Sequence, residues 1–162
     1  MDEKQIRYDE NCKYGEDLHF VWRYLAAGDK ICYYEKILYS YLQNSGSAMS
    51  KFTDERFRAL MPLRDLSVWF ARYAPAFCEK YEKHGVARWM WSLAWQSAVI
   101  NAGKEYRAFM RKYDVKSYMK KLKDFPDGKV RWSSRLFCLS AEAFRLAAKA
   151  AAKKRIPAPD RE

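Results

Sequence analysis

Glu16 and Asp17 are consecutive carboxylates placed directly after Gly15 and at the head of an apolar run with helical spacing, and they carry most of the functional signal in this chain of 162 residues. A carboxylate in the first turn of a helix is favoured in its ionised form, which is what a general base requires. Such a base takes the proton of a hydroxyl while that oxygen attacks an electrophilic carbon. The same pair has a purely structural reading: acidic residues in a first turn stabilise the helix dipole by ~0.3–1 kcal/mol, and the glycine permits the turn. Other chemistry is narrower. His19 and His84 are the only imidazoles, too few for a histidine-rich metal site, so no metal site is assigned to this chain. His19 follows Asp17 by two positions, which sends the two side chains to different helix faces and argues against an Asp–His dyad. Cys12, Cys32, Cys78 and Cys138 are scattered through apolar segments, unlike a zinc site or a secreted disulfide framework, and read as reduced core residues.

The elements that must hold this corner follow from local pattern. Residues 16–27 place Leu18, Val21, Trp22 and Leu25 on one stripe widened by Phe20 and Tyr24, with His19 and Arg23 on the opposite, wetter side and Gly28 at the stop. Residues 30–34 and 37–42 are rich in β-branched and aromatic side chains and are expected as two short strands, followed by a loop over Gln43–Ser47. From about Ser50 onward the pattern is helical. Ser50 and Thr53 are both candidate N-caps, with Asp54 and Glu55 placed near a helix start, and Leu66, Trp69, Phe70, Tyr73, Phe77 and Tyr81 recur at three- and four-residue steps. Pro62 and Pro75 should break or kink that stretch. Residues 86–102 carry Trp89, Trp91, Leu93, Trp95, Val99 and Ile100 with little charge, the mark of a buried central helix whose tryptophans are core residues. Residues 104–124 are lysine-rich and end at Phe125-Pro126-Asp127-Gly128, a turn signal.

A last helix is expected over residues 133–154, with Arg135, Glu142, Arg145, Lys149 and Lys153 gathered into an arc of roughly 80° and an apolar remainder. Packing on the core with a solvated stripe is the ordinary outcome; the basic Lys153-Lys154-Arg155 cluster also suits an interfacial helix on anionic lipid. The fold class is therefore mainly α: a short N-terminal α/β remnant of one helix and two short strands over residues 1–50, a bundle of four to five helices over 51–155, and a frayed tail over 156–162.

A hydrophobic fraction of 49% suffices for a real core, and the net charge of +11 suits an anionic partner. Lys112, Lys116, Lys120, Lys121 and Lys123 could follow a phosphate backbone. With little aromatic interleaving and no nucleic-acid-binding motif, however, a solvated face is expected and nucleic acid is not. No apolar run reaches the ~20 residues of a membrane span, and no signal-peptide pattern precedes Asp2-Glu3-Lys4, so the chain is expected in the cytoplasm.

In order, the motifs run Tyr8-Asp9-Glu10, Gly15-Glu16-Asp17, helix, Gly28, Lys30-Ile31-Cys32-Tyr33-Tyr34, Leu38-Tyr39-Ser40-Tyr41 and Ser47. Over about residues 6–50 that order resembles the second half of the catalytic domain of family 2 glycosyltransferases. The resemblance implies Asp17 as the general base of an inverting transfer and Glu16 as its neighbour at the acceptor side. It also implies Asn44, Ser45 and Ser47 as contacts for the acceptor or the diphosphate. It further implies a nucleotide sugar and a divalent metal, Mg or Mn, for the complete enzyme. Those are held in that family by a nucleotide-binding half with an Asp-x-Asp motif, and no Asp-x-Asp occurs in residues 1–162. The expected function is thus the C-terminal, acceptor-side portion of a transferase of cell-surface polysaccharide synthesis. It would be inactive alone, lie at the inner face of the membrane, and work with the missing half and a sugar or lipid-linked acceptor. The alternative is a non-catalytic helical binding module whose basic surface takes anionic lipid, nucleic acid or an acidic partner.

Overall fold

The computed structural model describes residues 6–8, 10, 15–28, 30, 32–37, 39–40 and 52–153, and every regular element among them is helical. Helix α1 spans Glu16–Ala27, bounded by Gly15 and Gly28 as the sequence indicates. A 3₁₀ turn over Asp54–Ala59 leads into α2, Leu60–Tyr73, and α3 covers Pro75–Lys80. A π-helical turn, Tyr81–Gly85, precedes α4, Val86–Ile100. Then come α5, Gly103–Lys112, α6, Val115–Lys121, α7, Gly128–Leu139, and α8, Ala141–Lys153. The chain divides into two compact units, residues 1–82 and 83–162. The sequence boundary expected near residue 50 and the tail over 156–162 lie outside the described residues.

In the first unit α2 packs against both α1 and α3. Leu63, Leu66 and Phe70 from α2 are buried with Phe57, Cys78 and Tyr81. The aromatic ladder read from the sequence forms this core: Phe70 lies 4.9 Å from both Phe77 and Tyr81, and Trp22 of α1 lies 5.5 Å from Phe77. The Tyr81 hydroxyl donates to the Leu63 carbonyl at 2.7 Å, so its polar end is satisfied, and burial pushes its pKa up. Pro75 breaks the helix as expected, ending α2 at Tyr73 and opening α3 at its first position. Pro62 does not break α2, because it sits in the first turn, where its missing N–H has no intrahelical partner to lose.

The N-terminal strands are not found. Among the described residues of 30–40 no strand occurs, and Cys32, Tyr33, Tyr34, Ile37 and Tyr39 are exposed. Strand propensity expresses packing on a pleated, half-buried surface, and these side chains have no such surface to rest on. Cys32 is accordingly no core residue, whereas Cys78 is buried; Cys32, Cys78 and Cys138 are free thiols.

In the second unit α4 is the central helix that the tryptophan-rich, charge-poor segment leads one to expect. It buries Ala87, Met90, Trp91, Leu93, Ala94, Ser97 and Ala98 and packs against α5, α6, α7 and α8. Trp91 Nε1 donates to Ser133 Oγ of α7 at 2.8 Å, and the Tyr106 hydroxyl of α5 donates to the Ala141 carbonyl at 2.9 Å. Trp89 and Trp95 are half-buried, and Lys129 Nζ lies 4.3 Å from the Trp95 ring centroid. Between α5 and α6 the chain turns at Tyr113-Asp114, where Asp114 takes the left-handed conformation, φ 43°, that short polar side chains tolerate.

The expected single helix over residues 133–154 is two helices. Ser140 is extended, φ −152° and ψ 113°, and its Oγ accepts the Ala143 N–H at 3.2 Å, capping α8. Apolar periodicity continues across a break of one residue almost unchanged, which conceals it in the sequence. Arg135 belongs to α7, and the remaining members of the stripe to α8. With this break and the one at Asp114, the C-terminal region holds α2 to α8 rather than four to five helices. Helix α8 buries Phe144 and Ala148 and packs on α4 and α7, the ordinary outcome for an amphipathic helix. Among the described residues no helix is long and apolar enough to cross a membrane.

Asp127 turns the Phe125-Pro126-Asp127-Gly128 signal into a helix start, its Oδ1 accepting the Val130 N–H at 2.9 Å. That hydrogen bond holds the Asp127 carboxyl below the usual carboxylate range, aided by the nearby Arg88 and Lys129 charges. A depressed folded-state pKa contributes stability that is present above the unfolded value and lost as pH falls through the folded one. Asp127→Ala is therefore expected to lower the urea midpoint at neutral pH and to lower it less in acid, with Asp127→Asn retaining most of the cap. Urea unfolding at both pH values checks this; an unchanged midpoint for Asp127→Ala at neutral pH would refute it.

Candidate functional site

Gly15 adopts φ 81° and ψ 13°, a left-handed turn that a side chain would resist, and its carbonyl accepts the His19 N–H at 2.9 Å to start α1. Glu16 and Asp17 thereby enter the first turn, Glu16 half-buried and Asp17 exposed, with Asp17 Oδ1 accepting the Leu18 N–H at 2.7 Å. The preceding segment is fastened to the same helix. Tyr8 stacks on Phe20 at 4.2 Å, and Arg23 Nη2 donates to the Arg7 carbonyl at 2.6 Å. Residues 7 and 8 are thus held on α1 by a guanidinium and an aromatic contact. Asn44, Ser45 and Ser47 lie outside the described residues.

The orientation of α1 differs from the sequence expectation. His19 is buried at 8% exposure, while Val21 and Leu25, expected inward, are 44% and 40% exposed. The face turned to the rest of the first unit is His19, Trp22, Arg23 and Ala26, at i, i+3, i+4 and i+7. Trp22 is drawn in by the Phe77 and Tyr81 rings, and that choice of face carries His19 and Arg23 with it.

The consequence is a cleft that the sequence reading misses. It has a volume of about 470 Å³ and is lined by His19 and Arg23 of α1 and by Asp65, Val68, Trp69, Arg72 and Tyr73 of α2. Trp69 and Tyr73 lie 4.9 Å apart, and the Arg72 guanidinium stands 5.1 Å from the Tyr73 ring centroid. Arg23 Nε donates to the His19 carbonyl at 3.3 Å, so with its bond to Arg7 this side chain ties two of its N–H donors to backbone. The signal available in the sequence is the recurrence of Asp65, Trp69 and Arg72 at i, i+4 and i+7, which puts one acid, one ring and one guanidinium on a single helix face.

Among the described residues no group of three or more His, Cys, Asp or Glu side chains could hold a metal ion. The divalent ion that the family resemblance implies therefore finds no holder among them, and no step is derived through it. In the second unit, Asp124 pairs with Lys83 at 3.1 Å and lies 3.9 Å from His84 Nε2, an exposed ion pair that lowers the carboxyl pKa. Lys112, Lys116, Lys120, Lys121 and Lys123 are all exposed, as a solvated face requires.

Compared with family models, with curated proteins and with solved structures, the chain matches none. The fold itself defines the class: a mainly α-helical protein with an acidic helix start near its N-terminus.

Proposed function

We propose that this chain is the C-terminal, acceptor-side portion of an inverting, nucleotide-sugar-dependent glycosyltransferase resembling family 2. It would act in cell-surface polysaccharide synthesis at the cytoplasmic face of a membrane. The observation that supports this reading best is the left-handed turn at Gly15, which sets Glu16 and an exposed Asp17 in the first turn of α1. Asp17 accepts the proton of an acceptor hydroxyl as its oxygen bonds to the anomeric carbon. The bond from that carbon to the diphosphate breaks with inversion, and the nucleoside diphosphate leaves with the electron pair. Glu16 flanks the acceptor. The donor sugar and the divalent metal belong to the nucleotide-binding half, and a sugar or lipid-linked acceptor completes the set.

Isothermal titration of the isolated 162 residues with nucleotide sugars and Mg²⁺ or Mn²⁺ tests the division of labour. No binding is expected until a nucleotide-binding half is joined in frame, after which transfer should appear; tight, metal-dependent binding by the isolated chain would contradict the proposal. The exposed lysines of α6 support a second reading, a binding module for an anionic surface. It differs in outcome, since binding to anionic vesicles would then fall steeply with added salt and no transfer would accompany any fusion.

A further inference from the structure

The cleft between α1 and α2 carries a ligand chemistry of its own. Its volume of about 470 Å³ falls within the range of ~300–1,000 Å³ common to small-molecule sites. Three kinds of group converge there: two half-buried rings, Trp69 and Tyr73, an exposed carboxylate, Asp65, and an exposed guanidinium, Arg72. Asp65 and Arg72, at i and i+7 on one face of α2, are separated by roughly 10 Å along the helix axis, with Trp69 between them.

The charges select the ligand. A phosphate or carboxylate only accepts hydrogen bonds, so Arg72 would attract it while Asp65 repelled it, and Arg23, the other cation of the cleft, already donates to the carbonyls of Arg7 and His19. A primary amine or guanidinium would meet the converse conflict. A hydroxyl both donates and accepts, so a polyol satisfies Asp65 and Arg72 together without an unpaired charge on the ligand. The apolar face of a pyranose, formed by its axial C–H groups, packs on an indole or phenol ring, which supplies the apolar area that hydroxyls alone cannot. The distance between the two polar ends favours more than one ring.

From these features we infer that the α1–α2 cleft binds an uncharged oligosaccharide, stacked on Trp69 and Tyr73 and hydrogen-bonded at its ends by Asp65 and Arg72. The binding stands on the cleft alone; its use in holding the acceptor rests on the glycosyl-transfer reading and would place the glycan between α2 and α1, the helix whose first turn carries Asp17.

Saturation-transfer NMR on the full chain with cellobiose, lactose and maltose as probes tests the inference. At least one is expected to receive saturation, mainly on ring C–H protons, and inorganic phosphate should not displace it. Trp69→Ala should abolish the transfer. Because Trp69 also meets the edge of Phe70 at 5.7 Å, the decisive variants are the exposed Asp65→Asn and Arg72→Ala, each expected to weaken binding about tenfold without loss of helicity. No transfer to any probe, equal transfer in both of those variants, or displacement by phosphate would each overturn the inference. A failed cleft and a failed base are told apart, since the first is read by binding and the second by turnover.

Discussion

Replacing Asp17 by Asn in a complete transferase that contains this chain is expected to lower turnover by roughly 10²–10⁴-fold, the usual contribution of a positioned general base. The amide keeps the shape and a hydrogen-bonding oxygen but cannot take a proton, so the loss should appear in kcat with the KM for the nucleotide sugar nearly unchanged. Folding should survive. Asp17 is exposed and accepts the neighbouring Leu18 N–H, so among the described residues the cost is that of the lost charge at the helix start, about 1 kcal/mol or less. Glu16→Gln should have the smaller effect, because the resemblance gives Glu16 a flanking place rather than the proton. Retained turnover in Asp17→Asn, with the variant folded by circular dichroism, would remove Asp17 as the base.

The largest effect on stability is expected from Phe144→Ala. Phe144 is fully buried, with Trp95 and Phe137 set edge-on at 5.5 and 5.2 Å, and it joins α8 to α4 and α7. Truncation removes the transfer energy of the ring and leaves a cavity between two aromatic neighbours, a loss of about 3–5 kcal/mol. Leu146→Ala, two residues along the same helix and equally apolar on paper, should change stability by less than about 0.5 kcal/mol, because Leu146 is 58% exposed. Urea midpoints followed by tryptophan fluorescence separate the two. Equal losses would mean that α8 does not dock through Phe144.

This contrast shows where the sequence is legible. Features set by a few neighbouring residues can be read: α1 runs from Glu16 to Ala27 between two glycines, and Pro75 ends α2, whereas Asp127 reads as a turn and the helix it caps starts at Gly128, before the expected residue 133. The charge-poor tryptophan segment is likewise a buried helix, since a surface apolar on nearly all sides has no other stable place. Ser140 was equally local yet is hard to see, for a serine cap inside a continuing apolar pattern looks like any helical serine. The candidate site was half legible: Glu16 and Asp17 are marked by spacing, whereas the cleft around Trp69 draws on two helices whose contact no periodicity announces.

What the sequence determined alone, then, is that the chain is mainly helical, where glycine and proline end α1 and α2, and which helix begins with two acids, because glycine turns and proline breaks act over a few residues. The tertiary structure decided which faces those helices hide. It buried His19 and left Val21 and Leu25 outside, because Trp22 had the Phe77 and Tyr81 rings to meet. It gave the described residues of 30–40 no sheet, because propensity cannot supply a pairing edge. By pressing His19 and Arg23 toward α2 it made the cleft, a feature of two faces and therefore of neither segment by itself.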